Sequence, residues 1–241
     1  MSNSTIIEIA RSFQVELYNL KEDNDRSLSW VHCYRTFYDY FHRDTLNDED
    51  YDYLALHLGF YLASWGMYRA SSFILQRDYK IHVEVVKILF NYKELQGITC
   101  EELLKPNNHK KLSKLSVSIS DSYLVHYKKV RNEQKKSSRA NTVSDTLITK
   151  VLMGTLGCSP AYDRHFKAGL KKLEINPYSF NCKAESLKPL IAFYKENENV
   201  LEPIRNSNTN IYFHDNIEYP QMKLLDLIFW TYGNPDIAKI E

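Results

Sequence analysis

Glycine occurs seven times in 241 residues, about 3% where ~7% is usual. That scarcity constrains the fold more than any other feature. A sandwich or barrel of short strands needs a turn every ~8–12 residues, and most such turns use Gly, Pro, Asn or Asp. A chain with so few glycines is better served by long helices joined at short corners. Charged residues make up 25% and apolar ones 44%, enough to build a core and too apolar for a disordered chain. The expectation is an all-α, compact, multi-helix globular protein of about nine helices. It divides near 135–142 into an N-terminal helical lobe (1–134) and a C-terminal one (143–241), or forms a single domain.

Periodicity supports the helices. Ile6, Ala10, Phe13, Leu17 and Leu20 make one stripe, and Trp30, Cys33, Tyr34, Phe37, Tyr38 and Phe41 another. Asn47-Asp48 caps a segment carrying Leu54, Leu58, Tyr61, Leu62 and Trp65, and the uncharged run 53–68 reads as a buried core helix. Thr99-Cys100-Glu101-Glu102 has the form of a capping box, and Lys105-Pro106 stops the helix that it opens. Further helices are predicted over 116–130, 143–155, 183–197 and 221–232. Ser159-Pro160 opens another as N-cap and first helical residue. Residues 206–220 read as irregular, with a short strand at 211–213.

The four cysteines are scattered and form no CxxC pair, which disfavours structural zinc and iron–sulfur clusters. The eight histidines are dispersed as well. No Walker loop, Gly-x-Gly-x-x-Gly, Gly-x-Ser-x-Gly or His-Glu-x-x-His motif is present. No metal and no cofactor is expected. No secretory leader is expected, since residues 1–10 show no basic segment followed by an apolar run, and 53–68 is shorter than the ~20 apolar residues of a membrane span. A soluble cytoplasmic protein without a membrane partner is therefore expected.

Net charge is +1, yet residues 105–139 hold ten basic and two acidic groups, a local net of +8. Lys110, Lys111, Lys114, Lys128, Lys129, Arg131, Lys135, Lys136 and Arg139 are candidate phosphate contacts. Tyr123 and Tyr127 interleave with the second half of the block, a combination suited to single-stranded nucleic acid. The alternative partner for these cations is an acidic protein surface, which would make the chain a non-catalytic helical interaction module. Trp65 and Arg69, four residues apart, form a candidate pocket or a cation–π pair. Asp226 and Trp230 are further pocket candidates, since a carboxylate inside the apolar run 224–230 must be paired, exposed or functional.

The stretch 143–175 runs from an apolar helix through Gly157-Cys158-Ser159-Pro160 to Asp163-Arg164-His165-Phe166, and on to Leu173-Glu174-Ile175. It resembles the segment around the catalytic aspartate of the helix-hairpin-helix DNA glycosylase superfamily. Asp163, His165, Phe166, Leu173 and Ile175 match. The resemblance implies a glycosylase-like helical core, DNA association and Asp163 as the catalytic carboxylate, with His165 beside it. The superfamily's Gly-x-Gly hairpin would precede Val143, where residues 137–142 contain no glycine. Asp145 stands near the place of the lysine nucleophile of its bifunctional members. The residues alone also permit a plain helix cap at Asp163. A further resemblance is to HEPN-type ribonucleases, through Arg77 and His82, with Arg35–His42 and Arg26–His32 at similar spacing.

Overall fold

The computed structural model describes residues 25–70, 72–134, 143–175, 184–213 and 217–234. The predicted stripe at 6–20, together with Lys135, Lys136, Arg139 and Cys182, lies outside them. Among the described residues there are ten α-helices, three short 3-10 turns and no strand. The helices are α1 (Leu28–Phe41), α2 (Asp48–Ser64), α3 (Val83–Phe90), α4 (Cys100–Leu103) and α5 (Pro106–Glu133). They continue with α6 (Asp145–Thr155), α7 (Arg164–Lys172), α8 (Ala184–Glu196), α9 (Glu198–Tyr212) and α10 (Gln221–Gly233). The all-α expectation holds. No helix is long and apolar enough to cross a membrane among those residues.

At the centre lies α6, where every residue from Leu147 to Thr155 is buried. A helix buried on all sides has to be surrounded, and α1, α2 and α5 pack around it. Gly154 faces the Tyr61 ring so closely that a β-carbon would stand 2.4 Å from it. Long-range hydrogen bonds join both halves of the chain. Trp30 Nε1 donates to the Met153 carbonyl at 3.0 Å, Gln96 to Thr155 at 2.9 Å, and the Cys100 amide to Gln221 Oε1 at 2.7 Å.

Helix starts follow local chemistry. Asn47 and Asp50 form a complete capping box on α2. At α4 only half the box is made: Thr99 accepts the Glu102 amide, while the Glu102 carboxylate turns to Lys105. Pro106 both ends that short helix and opens α5 as its first residue. Instead of a helix confined to 116–130, the chain therefore builds one of 28 residues.

Three expectations are corrected. The 211–213 segment is not a strand, because α9 runs through Tyr212 with only Phe213 extended. The run 53–68 is not buried throughout. Helix α2 stops at Ser64, and it leaves Tyr53, Leu56 and Phe60 45–59% exposed along one face. The helix expected at Ser159-Pro160 begins at Arg164. The amides that a start at 160 would turn inward are already engaged: Asp226 Oδ1 accepts from Ala161 at 2.9 Å, and Thr149 Oγ1 from Tyr162 at 2.9 Å. The chain stays non-helical until Asp163 takes the N-cap.

The closest helix pair is α7 with α10. They approach backbone to backbone at Gly169 and Gly233, where a β-carbon would lie 1.9 Å from the Phe229 carbonyl oxygen and 1.8 Å from that of His165.

His82 shows how polar groups are tolerated in this core. Its ring is fully buried, with the Tyr68 hydroxyl 2.7 Å from Nε2 and the Tyr123 hydroxyl 2.6 Å from Nδ1. Burial, with His126 as the lesser cause, pushes its pKa down to about 3. The unfolded chain then binds a proton below pH ~6.5 that the folded chain refuses. Stability is thus complete above pH ~6.5 and falls as pH drops toward 3. From pH 7 to 5 this one group removes about 2 kcal/mol. His57 and His126 are also lowered, chiefly by burial, and act in the same direction. The expected result in urea unfolding is a shallower pH dependence for His82→Gln than for the parent between pH ~5 and ~6.5. Parallel curves would remove His82 from the account.

Candidate functional site

Helices α7 and α10 bring two carboxylates toward the end of α2. Asp163 caps α7, its Oδ1 accepting the His165 and Phe166 amides at 3.0 and 3.1 Å. Its Oδ2 lies 3.3 Å from Lys150 Nζ, delivered by the central helix α6. Asp226 is held in a parallel way: Oδ1 accepts the Ala161 amide, and Oδ2 lies 3.1 Å from Lys223 Nζ one helical turn earlier. The two lysine side chains are only 5% and 10% exposed. Buried ammonium groups without partners are strongly disfavoured, so each carboxylate is structurally required by its lysine.

Both ammoniums converge on Trp65, the residue that ends α2. Lys150 Nζ is 5.2 Å and Lys223 Nζ 5.8 Å from the indole centroid, and the Arg26 guanidinium is 5.3 Å from it. Trp230 meets Trp65 edge-on with centroids 6.1 Å apart, and His165 lies 5.4 Å from Trp230. The His165 ring nitrogen Nε2 accepts from Arg164 Nε at 3.0 Å. Buried Lys150, Lys223 and Asp226 form the inner part of the cluster, while Trp65, Trp230, His165 and Asp163 are half-buried.

The cluster is rich in donors. It contains three cations and two carboxylates. Trp65 Nε1 is buried and has no acceptor among the described residues. An orphaned donor of this kind costs about 1–3 kcal/mol.

Five of the residues singled out in the sequence therefore meet: Trp65, Asp163, His165, Asp226 and Trp230. Arg69 does not join them. The helix ends before it, Gly66 turns the chain at φ +73° and Ala70 at φ +50°, and the four-residue helical spacing no longer applies. The exposed Arg69 instead lines a separate open cleft of about 680 Å³ with Ser72, Tyr127 and Asp145. Burial raises the Asp145 pKa, an effect that Lys167 opposes. The cations over Trp65 are Arg26, Lys150 and Lys223.

Sequence reading missed Lys150 and Lys223. The available signal was a lone lysine in each of two apolar helices, which needs the same explanation as a lone carboxylate.

No basic residue of α5 pairs with Asp163, whose ammonium partner is Lys150 from α6. Lys105 and Lys111 are tied to Glu102 and Glu94. Arg131 is half-buried. Lys110, Lys114, Lys128 and Lys129 are exposed and have no carboxylate partner among the described residues.

The ribonuclease arrangement is not assembled at Arg77 and His82. Arg77 pairs with Glu133 at 2.8 Å, and both ring nitrogens of the buried His82 are engaged by tyrosines. Cys33, Cys100 and Cys158 are buried free thiols. Burial raises the Cys100 pKa to about 12 and the Cys33 pKa further, so both stay protonated and unreactive. Among the described residues no three His, Cys, Asp or Glu side chains gather as a metal site needs. No protein-family model, curated protein or solved structure gives a significant match to the chain.

Proposed function

We propose that the protein associates with nucleic acid through the outer face of α5. The supporting observation is the placement of its unpaired lysines. Leu112, Leu115, Ile119 and Tyr123 turn inward. Lys110, Lys114 and Lys128 repeat at helical spacing on the opposite side, and Lys129 flanks them. From Lys110 to Lys128 is 18 residues, or roughly 27 Å of helix, long enough to meet several phosphates. Val117 and Val125, 60% and 67% exposed, lie on the same side and offer apolar contact to sugars or unstacked bases. Asp163 has a structural part in this proposal, because its carboxylate is shared between two amides and an ammonium.

Binding of labelled single- and double-stranded oligonucleotides is expected to weaken with salt. Four phosphate contacts give a log–log slope of about −3. Reversing Lys110, Lys114, Lys128 and Lys129 to glutamate should reduce affinity by roughly a hundredfold or more, with unfolding unchanged. No binding at ~50 mM salt, or equal binding by the charge-reversed protein, overturns the proposal. Preference for an acidic polypeptide over oligonucleotides would instead identify a protein-interaction module using the same face.

A further inference from the structure

We infer that the Trp65 cluster is a binding site for the oxyanion end of a small ligand, a phosphate or a carboxylate, whose body lies against Trp230 and His165. This does not rest on the α5 reading, since none of the residues involved belongs to that helix.

The cluster holds unused hydrogen-bonding capacity. An ammonium carries three N–H donors. Lys150 gives one to Asp163 and Lys223 gives one to Asp226, although both side chains are at least nine-tenths buried. The remaining donors have no hydrogen-bond acceptor among the described residues. The Trp65 indole N–H is buried and likewise lacks an acceptor among the described residues. Arg26 adds a guanidinium over the same ring and has no carboxylate partner among those residues.

Charge and donor count agree. Arg26, Lys150 and Lys223 bring three positive charges, and Asp163 and Asp226 return two negative ones. One negative charge with several acceptor lone pairs would neutralise the cluster and satisfy the indole together, and an oxyanion has both properties. A neutral ligand would leave the charge uncompensated, and a cation would add to it. The two lysines are already held by carboxylates that are themselves held by backbone amides, so the donors are positioned before the ligand arrives. That arrangement reduces the ordering cost of binding. Entry is from the side of Arg26, Trp65 and Trp230, the exposed or half-buried members of the group. The Trp230 ring, met edge-on by Trp65 and by the His165 ring, gives an aromatic surface for the rest of the ligand.

Three tryptophans give three indole N–H resonances, and Trp65→Phe identifies the relevant one. The experiment is a titration of the ¹⁵N-labelled full chain with inorganic phosphate, and separately with acetate, at ionic strength held constant with sodium chloride. The Trp65 resonance is expected to move downfield and saturate with a Kd of about 1 mM or tighter in at least one arm. Which arm saturates tells phosphate from carboxylate. Trp30 is the comparison: its ring also lies 5.2 Å from Lys223 Nζ, but its N–H is already donated to Met153 and is not available to the anion, so its resonance should move less than that of Trp65. Arg26→Gln, an exposed substitution, should weaken the Kd roughly tenfold while leaving the melting temperature unchanged. The α5 charge-reversed protein should keep the parent Kd, so failure of the nucleic-acid proposal and failure of this one are told apart. A Trp65 resonance that stays in place up to ~50 mM of both anions, or follows chloride equally, overturns the inference.

Discussion

Gly169→Ala is expected to be, with Gly233→Ala, the most damaging of the glycine-to-alanine substitutions. Its β-carbon would stand 1.9 Å from the Phe229 carbonyl oxygen and 2.8 Å from the carbonyl carbon, both backbone atoms of α10. No rotamer change relieves a clash with backbone, so α7 and α10 must separate by about 1 Å to reach an allowed contact. Gly233→Ala meets the same problem from the other helix, against the His165 carbonyl and the Gly169 amide nitrogen. Each is expected to cost about 4 kcal/mol or more in urea unfolding, well beyond ordinary overpacking. Gly59→Ala is the control. It lies in α2, its added carbon meets Tyr79 Cβ at 3.2 Å, and alanine's higher helix propensity offsets part of that contact. Its change should stay within about 1 kcal/mol. If Gly169→Ala were as mild as Gly59→Ala, the close approach of α7 and α10 would be wrong. Asp163 and Asp226 sit on this helix pair, so the same substitution should also disturb the Trp65 indole resonance.

The second large effect concerns charge and is best read as a cycle. Asp226→Asn preserves the oxygen that accepts the Ala161 amide, and removes only the charge opposite Lys223. An ammonium buried against Trp30 and Trp65 is then uncompensated, and a loss of about 3–5 kcal/mol is expected. Replacing both members, Lys223→Met with Asp226→Asn, should recover most of it, because a neutral pair no longer carries the desolvation penalty. Asp163→Asn should behave alike toward Lys150 while still capping α7, as asparagine is a good N-cap. A change below about 0.5 kcal/mol in Asp226→Asn would mean that Lys223 finds water, and the buried-pair description would fail.

The parts of the fold that sequence revealed are those governed by near neighbours. The stripe through Trp30, Cys33, Phe37 and Phe41 predicts α1, and each of these residues is buried. The Asn47 cap, the Thr99 amide acceptor and the helix break at Pro106 are likewise decided within a few residues. Errors arose where a distant group claimed a backbone amide. Ser159-Pro160 has the composition of a helix start, but Asp226 and Thr149 take the next two amides, and neither is near in sequence. Arg69 parted from Trp65 because Gly66 ends the helix between them.

The candidate site divides along the same line. Asp226 stood out in the sequence because a carboxylate in an apolar helix needs compensation, and Lys223 supplies it three residues away. Composition and periodicity, which act over one or two helical turns, settled by themselves that this chain is helical and where most of its helices lie. Only tertiary packing decided that Lys150 meets Asp163, that both lysines reach Trp65, and that the indole N–H is left without an acceptor. Those relations depend on how close α7 and α10 approach each other, a distance set by two glycines 64 positions apart.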